Sequence, residues 1–332
     1  MGAVNPVSTI FYAFKKNKEI YSMDVLVNIL NSMPGAVAQG LIWGIMAIGV
    51  YITYQILDIA DLTVDGSICT GGSVCVMMII NGYSVPVAMG AAVLAGMLAG
   101  FVTGFMHTIM GIPAILAGIL TQLALYSVNL KILGKANQAL SVRKYDILIS
   151  LQYLRNVPIF KNTIIIVSIF VVVIIALLYW FFGTELGCSL RATGSNINMS
   201  RAQGINTGFN TVLGLMISNG IVALSGALLV QYQGFSDVQM GRGAIVIGLA
   251  AVIIGKVIFG KIFRSFWLQL FGVALGGVIY YVVYQTVIGL GFDPDLLKLL
   301  SSVVVAIFLA APHLKSTYFK KRPKKKEATE NA

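Results

Sequence analysis

"TIIIVSIFVVVIIALLYWFF", residues 163–182, contains no charged side chain and no side-chain amide. A helix crosses the hydrocarbon core of a bilayer in about 20 predominantly apolar residues, so this one stretch reads as a complete transmembrane helix. Working outward, comparable runs lie at 35–57, 84–110, 209–230 and 266–290, and shorter or interrupted ones at 68–81, 112–130, 243–259 and 296–312. The composition agrees. Of 332 residues, 58 % are hydrophobic and 11 % charged, with mean hydropathy +0.87, whereas a soluble domain carries roughly a quarter charged residues. The polar-in, apolar-out alternation of a membrane β-barrel is absent. The fold class is therefore all-α and polytopic, with about 9–10 transmembrane helices.

Net charge is +11, but its distribution argues against nucleic acid. The tail "KSTYFKKRPKKK" alone holds Lys315, Lys320, Lys321, Arg322, Lys324, Lys325 and Lys326. Basic clusters beside a span stay cytoplasmic, so residues 313–332 read as a cytoplasmic tail whose partner is the anionic surface of the bilayer. Counting back from an inside C-terminus places 260–265 and 184–208 inside and 131–162 outside. The last of these is at odds with the positive-inside tendency, since it carries Lys131, Lys135, Arg143, Lys144, Arg155 and Lys161 against Asp146. Nine spans would also put the N-terminus outside despite Lys15, Lys16 and Lys18; a tenth would reverse that. Residues 1–33 lack the apolar core of a cleavable signal, and 19–33 have the pattern of an interfacial amphipathic helix.

Three of the 12 acidic residues crowd into "DIADLTVDGSICTGG", 58–72, where strongly apolar sequence closes in from both sides. An internal repeat explains part of this. After "DGS" (65–67) come a short apolar segment, a Gly-rich span and "IPAILAGIL"; after "GRG" (241–243) come a short apolar segment, a Gly-rich span and "DPDLLKLLSS". The two copies, about 35–130 and 209–312 within a membrane domain 34–312, cross in opposite senses under the topology above. Inverted repeats with interrupted helices are a transporter architecture. Asp61, Asp65 and Gly66 are then candidates for a helix break at a gate, with structural capping as the alternative. Gly66, Gly71 and Gly72 would allow non-helical backbone beside the acids. Spacings such as Gly96, Gly100 and Gly104 let helix backbones approach closely. Polar residues that could line a pathway are Thr63, Ser67, Thr121, Gln122, Asn219 and Gln231, with Tyr54 and Tyr126 as stacking surfaces.

The chain shows no P-loop, no catalytic side-chain set and no metal-ligand set; His107 and His313 are its only histidines, and Cys69, Cys75 and Cys188 form no framework. It is not read as an enzyme and calls for no cofactor of its own. The segment "GTELGCSLRATGSNINMSRAQGINTGFN", 183–210, resembles the coupling loop of permease subunits in ABC importers of the branched-chain amino acid and ribose type. The likeness runs through Gly187, Arg191, Ala192, Gly194, Asn196, Ala202, Gly204, Ile205 and Asn206, and "LTVDGS" resembles the tryptophan- and tyrosine-type subgroup. The resemblance implies a type II importer fold, a homodimer of permeases, a separate ATPase subunit that binds the ATP, and an extracellular substrate-binding lipoprotein. Arg191, Gly194, Asn196, Ser200, Arg201 and Gly204 would then couple to the ATPase. Independently, Ser195, Asn196 and Asn198 can cap a short helix beginning "INMSRAQ", and Gly204 can end it. Aromatic amino acids are the first expected solute, with branched-chain amino acids, nucleosides or sugars behind. The rival readings are an ion-driven secondary transporter, which should carry acids inside its spans, and a membrane assembly subunit without flux.

Overall fold

In hydrocarbon every backbone N–H and C=O must be paired within the protein, so the apolar runs of this chain have no option but helix, β-branched residues notwithstanding. A computed structural model describes residues 30–142, 144–145, 147–154, 162–260 and 262–290, with isolated positions between 299 and 310. Arg143, Asp146, Arg155, Lys161, most of the N-terminal segment, most of the 296–312 run and the basic tail lie outside the described residues.

The helices are α1 (Leu30–Ile56), α2 (Val64–Ile80), α3 (Val85–Thr108), α4 (Ala114–Leu133), α5 (Thr163–Gly183), α6 (Glu185–Ser195), α7 (Ile197–Ala202), α8 (Thr207–Gln233), α9 (Ala244–Phe259) and α10 (Phe266–Gly289). Six of them, α1, α3, α4, α5, α8 and α10, are long and apolar enough to cross a membrane, while α2 and α9 are shorter apolar helices. The first helix begins at Leu30, inside the stretch read from sequence as interfacial. Strands β1 (Asn137–Ala139) and β2 (Phe235–Asp237) pair antiparallel with Gln138 opposite Ser236, tying the loop after α4 to the loop after α8. They mark one end of the bundle; α6 and α7 mark the other.

The repeat is visible in element lengths. A helix of 27 residues, a short one and one of 24 recur in order: α1, α2, α3 and then α8, α9, α10, with the short members 17 and 16 residues long. The chain turns back into the bundle before each short helix. Residues 57–63 climb from the α7 end to start α2, and 238–243 descend from the strand end to start α9. The two short helices consequently run in opposite directions from a shared interior level.

Helices α1 and α8 are largely buried, whereas α4 and α5 show most of their surface to the surroundings. Two serines fasten the central pair: Ser218 Oγ donates to the Gly49 carbonyl at 2.8 Å and Ser225 Oγ to that of Ile42 at 2.7 Å. Close helix approach decides the glycines of α2. Sequence pattern places a helix break at Gly66, Gly71 and Gly72, but all three are helical. At Gly71 a Cβ would overlap the Ala223 carbonyl, and at Gly226 one would overlap that of Ile68. Small residues there let α2 and α8 touch backbone to backbone, and the break falls earlier, at 57–63.

Candidate coupling and gating site

The break after α1 begins with a π-turn, Ile52–Ile56, a winding often found where a helix is interrupted for function. Asp58 follows in the left-handed region (φ 56°) with its side chain exposed. Asp61 does the opposite and turns inward, 2 % exposed. Its Oδ1 accepts from the Thr63 backbone N–H at 2.9 Å and its Oδ2 from Asn219 Nδ2 at 2.7 Å. Asn219 Oδ1 in turn accepts from Ser67 Oγ at 2.6 Å. On the other flank, the hydroxyls of Thr63 and Thr103 lie 2.7 Å apart, and Thr103 Oγ1 donates to Thr121 Oγ1 at 2.8 Å. Six buried polar side chains therefore run as one chain, Ser67, Asn219, Asp61, Thr63, Thr103 and Thr121, joining α2, α8, the break, α3 and α4. A buried carboxylate without donors would be costly, and here the neighbours supply them.

Asp65 holds a second junction. It lies in the first turn of α2, and its carboxylate reaches the start of α9, accepting from the N–H groups of Gly243 and Ile245, each at 2.9 Å. Gly243 precedes α9 in the left-handed conformation (φ 84°) and offers no side-chain cap. The cap therefore comes from the other repeat: one carboxylate satisfies orphan N–H groups of α9 and meets the positive end of its dipole. Beside it, the Gly241 N–H donates to Cys69 Sγ at 3.1 Å. Neither Asp61 nor Asp65 is set out for solvent; both bind the start of a short helix to a neighbouring element.

The segment 184–206 forms two short helices outside the long spans. Thr184 caps α6 by accepting from the Gly187 N–H, and Asn196 caps α7 through its Oδ1 and the Met199 N–H at 3.0 Å. Of the three candidate caps only Asn196 makes this bond; Ser195 belongs to α6 and Asn198 to α7. Gly204 closes α7 with φ 77°, a conformation other residues adopt at a cost. Gly194 lies against the end of α1, where a Cβ would overlap the Ile56 carbonyl, so the loop is braced on the same turn that leads into the break. Ser200 is buried and faces the bundle; it seats α7 and presents nothing outward. Arg201 is exposed but anchored, with Nε donating to Thr207 Oγ1 at 3.0 Å. Arg191 lies sideways against the end of α5, donating from Nη2 to the Phe182 carbonyl at 3.1 Å.

The family model for "Branched-chain amino acid transport system / permease component" matches residues 32–310. The chain belongs to this permease family. It is 40 % identical over 285 residues to a tyrosine transport system permease protein of Clostridioides difficile (strain R20291), covering 86 % of this chain and 92 % of that protein. It is 28 % identical over 185 residues to an autoinducer 2 import system permease protein of Salmonella paratyphi B (strain ATCC BAA-1250 / SPB7), covering 54 % of this chain and 50 % of that one. Among solved structures, PsaBC from Streptococcus pneumoniae in complex with Fab matches with 17 % identity and a TM-score of 0.40, over 82 % of this chain and 99 % of that chain; a likeness that loose carries no further weight.

Within this permease, the residues selected from sequence as pathway lining separate by location. Thr63, Ser67, Thr121 and Asn219 are buried in the network above. Gln231, also fully buried, accepts from the Leu148 N–H at 3.2 Å and so holds the loop between α4 and α5 against the bundle near the strand end. Gln122 is half-buried on α4, while Tyr54 and Tyr126 are exposed. Two residues of α7 were missed by the sequence reading: Ile197 and Met199, exposed by 43 and 63 % outside the long spans. The available signal was their position inside the coupling-loop motif, which drew attention to the charged residues instead.

Proposed function

We propose that this chain is the membrane-spanning subunit of an ATP-driven importer, and that it passes an aromatic amino acid from an extracellular binding protein into the cytoplasm. ATP is bound and hydrolysed by a separate subunit that docks on α7. Two copies of the chain enclose the pathway, and the C-terminal tail is cytoplasmic. The observation that carries the reading is α7 itself: a helix of six residues, capped at both ends, braced through Gly194 on the end of α1, and presenting Ile197 and Met199 outward. Closure of the ATPase would push on α7, and the same brace leads through the π-turn to Asp61 and the break. The choice of solute is supported by the 40 % identity to the tyrosine permease.

Met199→Glu tests the docking role. It places a charge at the centre of a small contact, where a few residues carry most of the binding energy, and touches no buried span. The variant should reach the membrane at normal levels but fail to co-purify with the ATPase. Normal assembly and normal substrate-stimulated hydrolysis in the variant would dismiss α7 as the docking element.

The rival reading, an ion-coupled carrier, takes its support from Asp61, an acid buried within the bundle. Both of its oxygens are held by fixed donors from Thr63 and Asn219, which favours a structural role. Uptake driven by a proton or sodium gradient without ATP would favour the carrier.

A further inference from the structure

A cavity of about 480 Å³ lies where α5 ends, α6 begins and α10 starts, with Tyr179, Trp180, Thr184, Arg191 and Phe266 in its walls. It is separate from the polar break and from the outward side of α7. Arg191 is the one charged residue of its lining. One guanidinium nitrogen, Nη2, donates to the Phe182 carbonyl and, at 3.6 Å, to Cys188 Sγ, and the guanidinium carbon stands 5.8 Å from the centre of the Phe266 ring. The group is thus held at the end of the spans through Nη2, while Nε and Nη1 belong to a residue that lines the cavity. Glu185, the neighbouring acid in sequence, is exposed and does not line it. Arg264, in the loop leading to α10, is exposed and adds positive charge to this end.

The cavity opens beside α5, the most apolar of the six candidate spans among the described residues. Its side walls, Tyr179 and Trp180, are 57 and 71 % exposed, and Trp267 nearby on α10 is 47 % exposed. Tyr and Trp collect at the headgroup level of a bilayer, where one part of the ring is apolar and the other is wet. A guanidinium at that level, held by a carbonyl beside an aromatic ring, suits a phosphodiester oxygen. We propose that this cavity binds the headgroup of an anionic phospholipid from the leaflet adjoining α6 and α7, with Arg191 holding the phosphate and Trp180 and Tyr179 flanking the glycerol and upper acyl chains. The lipid would brace α5, α6 and α10 together at the root of α7. The assignment requires that α5 spans a bilayer; it is independent of which solute is carried.

The test is native mass spectrometry of the full chain, released from micelles doped with equal amounts of phosphatidylglycerol and phosphatidylcholine. Wild type should retain phosphatidylglycerol preferentially. Arg191→Gln should reduce that preference about ten-fold, the worth of roughly one charge-assisted hydrogen bond. Arg191→Lys, which keeps the charge but loses the planar fork, should retain a preference between those of wild type and Arg191→Gln, and shows that loss in the glutamine variant is not misfolding. Trp180→Ala should weaken retention of both lipids. Equal retention of the two lipids by wild type, or an unchanged preference in Arg191→Gln, would overturn the proposal. So would displacement of phosphatidylglycerol by millimolar inorganic phosphate, which would make the site one for a free anion. Full displacement by added ATPase subunit would make Arg191 a protein-docking group instead.

Discussion

Asp65→Asn isolates the junction between the two repeats. The substitution preserves shape, yet the carboxylate now accepts from two N–H groups at the start of α9, those of the preceding Gly243 and of Ile245, both at 2.9 Å. The amide keeps one acceptor and turns an NH2 group toward the other donor. The loss is one charge-assisted hydrogen bond, about 1.5–3 kcal/mol, plus the interaction of a negative charge with the helix start, about 0.3–1 kcal/mol. Asp65 is only half-buried, so solvent screens part of this, and the expected destabilisation is about 2–3 kcal/mol. Denaturant unfolding of the purified chain in mixed micelles measures it. Asp58→Asn is the control: the residue is exposed, and an exposed substitution of this kind is expected to stay within about 0.5 kcal/mol. A second readout is local. Cys69 is buried and accepts from the Gly241 N–H just before α9, so freeing α9 should quicken its reaction with a small thiol reagent. If Asp65→Asn costs no more than Asp58→Asn and leaves Cys69 protected, the cross-repeat cap is not what holds α9.

Three further outcomes follow from other parts of the structure. Asn219→Leu removes a donor from buried Asp61 and should cost about 1.5–3 kcal/mol in the same unfolding assay, with part of that recovered when Asp61→Asn is added, because a buried amide short of a partner costs less than a buried carboxylate. Gly226→Ala should cost at least about 1–3 kcal/mol by forcing α2 from α8, whereas Gly90→Ala, which meets no neighbouring atom within 4 Å, should be neutral or mildly stabilising. Cys188 is the single exposed cysteine of the three in the chain; a membrane-impermeant maleimide should label it in inside-out vesicles and not in right-side-out ones, and the reverse pattern would invert the topology.

The long spans were legible because hydropathy dictates them directly: an uncharged run such as 163–182 can only be a helix in lipid. The family was legible in 183–210 because that stretch resembles the coupling loop of its permeases. The course of the break was not. Gly66, Gly71 and Gly72 look like helix breakers by residue type, and only their distances to α4 at Gly66 and to α8 at Gly71 and Gly72 show that their small size serves packing. Nor does sequence alone reveal that Asp65 caps a helix 178 residues further along, since a side chain's partner across a repeat depends on tertiary approach. The polar residues chosen for a pathway illustrate the same limit. Composition marks Thr63, Ser67, Thr121 and Asn219 as unusual within apolar helices, and the structure brings them together, but their hydrogen bonds satisfy one another in the single chain.

The central claim, that this permease moves solute only when an ATPase acts through α7, is tested most directly in proteoliposomes. The purified chain, its ATPase and its binding protein are reconstituted with radiolabelled tyrosine outside and ATP inside. The account predicts accumulation that requires both ATP and the binding protein, and that is abolished by Met199→Glu while the chain remains inserted. Accumulation without ATP under an imposed proton or sodium gradient, undiminished by Met199→Glu, would contradict it.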